Sequence, residues 1–109
     1  MALTNKQIQQ RVDWRKANPE KARLIGWRYE LKSLYGITVE QYEAMLELQN
    51  GVCAICGGIN TRKLKLAVDH DHDTGKVRGL LCDRCNRGIG LLRDSNNITN
   101  ALKYLEENK

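Results

Sequence analysis

Apolar positions recur at helical spacing through the first half of the chain and give way to short apolar runs in the second. Over residues 4–17, Ile8, Val12 and Trp14 form a thin stripe, with Thr4 or Asn5 placed as the N-cap. Asn18-Pro19 then breaks and restarts the helix. Asn caps, Pro fits the first helical position, and Glu20 sits at the positive end of the new dipole. The second helix is expected from Pro19 to about Leu34. It carries Leu24, Trp27, Leu31 and Leu34 on one face and stops at Gly36. On that stripe Trp27 reads as a core side chain ahead of a base-stacking one. Thr38-Val39-Glu40-Gln41 reads as a capping box opening a third helix through Gln49. Tyr42, Met45, Leu46 and Leu48 are its expected buried side, and Asn50-Gly51 ends it.

Beyond a polar, basic loop at residues 59–65, the period changes. Leu66 to Val68 and Val77 to Leu81 read as short strands joined through the turn Asp73-Thr74-Gly75-Lys76. A short helix is expected from Asn86 to Leu92. Gly88 and Gly90 inside it each cost about 1 kcal/mol relative to Ala, which implies close approach of another backbone or of a nucleic-acid strand. Asp94 to Asn97 is loop and cap. Ile98, Ala101, Leu102 and Leu105 then form the expected core stripe of a last helix. The pattern is therefore α+β. A helical N-terminal arm spans residues 1–50, and a strand–strand–helix (ββα) unit with a C-terminal helix spans 51–109.

A 109-residue chain with no Phe buries only a modest core, so a covalent or metal staple is physically welcome. Cys53/Cys56 and Cys82/Cys85 supply one. The C-x2-C spacing lets two thiolates grip one side of an ion, and two such pairs make the closed tetrahedral shell of a structural zinc. Gly57-Gly58 lets the backbone turn closely around the sulfurs. Disulfides are the competing use of four cysteines. Leu3 to Val12 is polar, with neither the apolar run nor the cleavage site of a signal peptide, and no stretch is long enough to span a bilayer. Reduced thiols in an intracellular setting are the expectation.

Between the pairs lies V-D-H-D-H-D-T-G-K-V-R, a polar cluster that zinc does not need. Hydrolysing a phosphodiester requires a water to lose a proton near neutral pH and the charge at phosphorus and the leaving oxygen to be neutralised. A His with a pKa near roughly 6.5 suits the first task and a hard divalent cation the second. Asp69 and Asn86 offer the oxygen ligands that Mg2+ or Mn2+ accepts, and His70 is the expected general base. Neighbours on a regular strand face opposite ways, so Asp69 and His70 share a site only if the strand bulges or the phosphate lies between them. His72 could contact phosphate or serve the turn. Asp71 and Asp73 read as turn residues, and Arg78 as a phosphate-holding fork or as the salt-bridge partner of Asp71 or Asp73.

Charge adds a partner. The formal net charge is +5; four thiolates with one zinc would remove two charges, leaving +3, and one further divalent ion would restore +5. Such a surface favours a polyanion. Arg62, Lys63, Lys65, Lys76, Arg78, Arg84, Arg87 and Arg93 surround the cluster, with Lys76, Arg78, Arg84 and Arg87 the chosen DNA-contact candidates.

The run V-D-H-D-H-D-T-G-K-V-R-G-L-L-C-D-R-C-N, residues 68–86, resembles the signature of the phage recombination endonuclease VII family, among the His-Me finger (HNH-type, ββα-metal) nucleases. The resemblance extends over about residues 42–105. It implies zinc on Cys53, Cys56, Cys82 and Cys85, catalytic Mg2+ on Asp69 and Asn86, water activation by His70, and a phage or prophage protein acting on DNA in a bacterial cytoplasm. The family's prototype resolves branched DNA as an intertwined dimer, so a homodimer and Holliday-junction resolution are further expectations. Set against that prototype, a longer helical lead-in and no counterpart of its long C-terminal region are expected here. Two other readings compete with a Mg2+-dependent DNA endonuclease. A non-catalytic zinc module would have no use for Asp69, His70 and Asn86 together. A nuclease subunit of a packaging or recombination complex would share the chemistry and dock through residues 4–49.

Overall fold

Thr4 opens the first helix with a reciprocal capping box: its hydroxyl accepts from the Gln7 backbone, and the Gln7 side chain accepts from the Thr4 N–H. In this computed structural model, which describes residues 2–60 and 65–109, that helix is α1, Asn5–Ala17. Asn18 ends it, and Pro19 at the first position starts α2, Pro19–Glu30. A single π-helical turn, Leu31–Tyr35, carries on from α2 to Gly36, whose φ of 70° is the left-handed stop. Helix α3 is Val39–Leu48, the hairpin strands are β1 (Ala67–His70) and β2 (Val77–Leu81), and α4 (Asp83–Leu92) and α5 (Ser95–Glu107) follow. The protein is α+β, as its pattern of periods implies. Arg62 and Lys63, with the rest of 61–64, lie outside the described residues.

By their internal packing the residues form two compact units, Met1–Glu40 and Gln41–Lys109. Within the second unit α3 is tied to the residue that leads into β1: buried Tyr42 donates its hydroxyl to the Leu66 carbonyl at 2.6 Å. Burial also raises the Tyr42 pKa, so that phenol stays a donor.

In the first unit α1 packs on α2, but the expected stripes are only partly covered. Ile8, Val12 and Trp14 are exposed, as are Leu24 and Leu34 on the second stripe, whereas Leu31 is buried and Trp27 half-buried.

In the second unit the core is small: Tyr42, Cys53, Leu66, Val68, Leu80, Leu81 and Cys82 are buried, and Leu80 is wholly inaccessible. Asn50 and Gly51, at φ 57° and 76°, turn the chain out of α3, and the Gly51 N–H bonds back to the Leu46 carbonyl at 2.8 Å. The Gln49 side chain then does what a third strand would do. Its carboxamide accepts from the Leu80 N–H at 2.9 Å and donates to the Leu80 carbonyl at 2.8 Å. The Ala54 N–H joins on the same carbonyl at 3.1 Å, so the first cysteine knuckle is pinned to the strand leading into the second.

Four expectations are corrected here. Leu48 is 84% exposed, outside the buried side of α3. Helix α4 begins at Asp83, ahead of the expected Asn86, because the Cys82 sulfur accepts from the Cys85 N–H and serves as the N-cap. Nothing described lies within 4 Å of a Cβ built on Gly88 or Gly90, so of the two expected approaches that of another described backbone is absent. Ile98, Leu102 and Leu105 are exposed, and only Ala101 of that stripe is half-buried. The amphipathic period of α5 is present, but no described element covers it.

Gln49→Ala should leave both Leu80 backbone groups without their side-chain partner and lower stability by about 1–3 kcal/mol. Urea unfolding of zinc-loaded protein should show a lower midpoint at unchanged slope; an unchanged midpoint would show the pairing to be dispensable.

Candidate metal centre and active cleft

The cysteine knuckles converge because each is held at its backbone. Cys53 N–H bonds to the Gly58 carbonyl and Gly57 N–H to the Cys53 carbonyl, closing a turn that passes through Gly57 at φ 72°. The second pair, Cys82 and Cys85, flanks the first turn of α4. The four sulfurs lie within 4.8 Å of one another, and Cys56 Sγ and Cys82 Sγ are 3.7 Å apart. A tetrahedral zinc with Zn–S bonds of about 2.3 Å requires S···S edges of about 3.8 Å. The cluster therefore fits zinc, and none of its thiols forms a disulfide.

Backbone N–H groups aim at the sulfurs: Ile55 at Cys53 (3.4 Å), Gly58 at Cys56 (3.4 Å) and Cys85 at Cys82 (3.5 Å). Such donors stabilise thiolates. At Cys53 burial pushes the thiol up, but N–H donation and the neighbouring thiols outweigh it and bring the pKa down to about 6. Burial, followed by hydrogen bonds with the other sulfurs, pushes Cys85 up to about 12. A bound cation would favour the thiolate form of all four.

Beside the hairpin is a cleft of about 550 Å³ between β1, β2 and α4. Asp69 and Asn86 both line it, so strand and helix bring together the two hard-oxygen candidates that are far apart in sequence. Asn86 sits in the first turn of α4 directly after Cys85, with its N–H on the Cys82 carbonyl at 2.9 Å. Its carboxamide makes no hydrogen bond among the described residues. Asp69 is 9% exposed, and a carboxylate so far from water requires a partner. Arg78 provides it, with Nε on Oδ2 at 2.7 Å and a terminal nitrogen on Oδ1 at 2.9 Å. Those bonds also raise the Arg78 pKa above its already high ordinary value.

A bulge makes this pairing possible. Asp69 lies opposite Gly79 and His70 opposite Val77, leaving Arg78 as the extra residue on β2. In unbroken register Arg78 would point away from Asp69's face; the bulge re-aims it. The register breaks between Asp69 and His70 with its extra residue on β2, and the partner of Arg78 is Asp69 instead of Asp71 or Asp73. Asp71 instead caps its own turn, accepting from the Asp73 and Thr74 N–H groups at 2.8 and 3.0 Å. Those bonds lower its pKa.

The imidazoles divide. His72 lines the cleft with Asp69 and Asn86, whereas His70 lies outside its wall, with its ring centroid 4.8 Å from that of His72. Lys76, Arg84 and Arg87 are exposed and do not line the cleft; Arg87 makes a surface pair with Asp83 at 3.5 Å. The second cation of the cleft is Arg93, one of the basic residues expected around the cluster, joined by Gly90 and by Ile89 and Asp94, for which the sequence suggested no site role. The signal was available. Asn86, Ile89, Gly90 and Arg93 follow i, i+3, i+4, i+7 along one face of α4. Arg93 holds φ at 72°, a non-glycine conformation that costs about 1–3 kcal/mol and turns the chain between α4 and α5. Two cavities in the first unit, lined by residues such as Trp14, Arg15 and Ile25, contain no acid or imidazole.

The model of the recombination endonuclease VII family matches residues 28–107. The chain belongs to that family. Similar phage proteins include the Gene 59 protein of Mycobacterium phage D29. It is 46% identical over 83 residues, which cover 74% of this chain and 50% of the relative. The Gene 59 protein of Mycobacterium phage L5 is 44% identical over 81 residues, covering 72% and 49%. This member of the endonuclease VII family thus spans about half the length of the curated relatives it matches. No solved structure gives a significant match. Among the described residues no helix is long and apolar enough to cross a membrane.

Cys82→Ser removes both a zinc ligand and the N-cap of α4. Structural zinc contributes on the order of 10 kcal/mol to folding in small domains, so the variant should lose bound zinc and cooperative unfolding together. Metal analysis and circular dichroism of the purified protein measure both, and a folded, zinc-free variant would overturn the clamp.

Proposed function

We propose that this chain carries the hydrolytic centre of a phage DNA endonuclease, built as a ββα-metal (His-Me finger, HNH-type) site on a zinc-held hairpin. The observation that carries the reading is the shared cleft: a buried carboxylate, an amide oxygen without a hydrogen bond among the described residues, the His72 imidazole and two guanidinium groups converge on one space, with His70 in ring contact with His72 outside its wall. The family supports DNA as the substrate, and the basic residues around the cleft fit a phosphate backbone.

In this reading Asp69 and Asn86 hold a catalytic Mg2+ or Mn2+, which matches their hard-oxygen donor set. When bound, that ion supplies charge neutralisation at the phosphate and at the departing oxygen. His70 is the general base. It takes a proton from water as the water oxygen bonds to phosphorus and the bond to the bridging oxygen breaks. His72, in ring contact with His70 and lining the cleft, orients that base and contacts the phosphate. Arg78 and Arg93 hold the scissile and neighbouring phosphates, since a guanidinium fork matches two phosphate oxygens. The open surface at Gly88 and Gly90 leaves room for a strand to pass over α4.

Nicking of supercoiled plasmid tests the reading. Wild-type protein should nick with Mg2+ or Mn2+ and stop in EDTA. His70→Ala should lower the rate by roughly 10²–10⁴-fold, the range of general-base catalysis, and Asn86→Ala should weaken metal-supported cleavage with zinc content unchanged. Binding of DNA without cleavage under any metal condition would sink the endonuclease reading. Comparing four-way junctions, linear duplex and single strands in the same assay reports the preferred DNA form.

A further inference from the structure

The hard-oxygen site is closed from within. Asp69 has both carboxylate oxygens engaged by the Arg78 fork at 2.7 and 2.9 Å, in a position only 9% exposed. The Arg78 side chain itself is 47% exposed and lines the cleft that a phosphate would enter. We infer that Arg78 is an internal counter-ion for Asp69, released when a DNA phosphate takes its guanidinium, so that the carboxylate becomes available to a divalent cation only on DNA. The inference rests on the endonuclease reading and adds an order of assembly to it.

Two physical arguments support the exchange. A guanidinium and a divalent cation compete for the same negative charge, and the bidentate fork occupies one lone pair on each Asp69 oxygen. A phosphate offers that fork an equivalent pair of oxygens and carries its own charge, so moving Arg78 from carboxylate to phosphate exchanges one charge-assisted pair for another. Because Arg78 is the extra residue of a bulge, its partner was not chosen by strand register, and a side-chain movement suffices. The outcome is reciprocal coupling: DNA tightens metal binding, and metal tightens DNA binding. Free protein would be a weak binder of hard cations, and hydrolytic capacity would assemble on the substrate.

The test reads metal binding instead of cleavage. Mn2+ is titrated into zinc-loaded protein and the free ion followed by electron paramagnetic resonance; Mn2+ prefers oxygen ligands and leaves the thiolate cluster alone. Without DNA, Arg78→Gln should bind Mn2+ about ten-fold more tightly than wild type, and Arg78→Gln combined with Asp69→Asn should lose that gain. Arg93→Gln removes the same charge from the same cleft without touching Asp69, and should change the affinity less than about two-fold. In a His70→Ala background, which keeps the probe DNA intact, adding a short duplex should tighten Mn2+ binding more with Arg78 present than after Arg78→Gln. Arg78→Lys keeps the charge, loses the fork and should fall between. Equal Mn2+ affinity for wild type and folded Arg78→Gln overturns the inference, as does an equal gain from Arg93→Gln or from the duplex with and without Arg78. If wild type still nicks plasmid in that case, the counter-ion fails and the endonuclease stands. Absence of nicking with every metal fails the endonuclease reading itself.

Discussion

The meeting of four sulfurs is the constraint from which the rest of the second unit follows. Cys53 and Cys82 are buried, so the cluster is part of the small core, and it joins the loop after α3 to the first turn of α4. With no Phe in the chain and Leu80 the only wholly inaccessible large side chain among the described residues, apolar burial alone is a thin basis for holding a hairpin against a helix. A tetrahedral ion at this point would fix strand, knuckle and helix in one geometry. The Cys82 sulfur adds to this by capping α4, which places Asn86 on the turn that faces β1.

The cleft is the second consequence. A two-stranded hairpin is marginal in water, yet this one buries an ionisable carboxylate. It does so because a bulge delivers Arg78 to Asp69 and because Gln49 and Ala54 satisfy the free edge of β2 at Leu80. The edge is thereby blunted without a third strand. Polar groups that would be a liability in a larger core are here the contents of the site, and the positive φ of Arg93 places a further cation at its rim.

The match over residues 28–107 contains every element of the second unit, and the phage relatives align with most of this chain but only about half of themselves. The exposed apolar faces of α5 and of the first unit are the part of the molecule for which the single chain supplies no covering element among the described residues.

Local rules were enough for much of this. The Thr4 and Asn18-Pro19 boundaries, the Gly36 and Asn50-Gly51 stops, the turn before Val77 and the grouping of four cysteines are each written within a few residues, because caps, left-handed turns and C-x2-C knuckles depend on neighbours close in the chain. What depended on distance could not be read. Whether an amphipathic stripe is covered, as at Leu31, or bare, as at Leu102, is a question of what else arrives there. The bulge that turns Arg78 to Asp69, the Gln49 side chain acting as a strand edge, and the separation of His72 from His70 at the cleft wall arise from contacts between elements. Sequence named the chemical groups because ligand chemistry lives in residue types; tertiary structure chose their partners because a strand's register and a helix's first residue are set by everything packed around them.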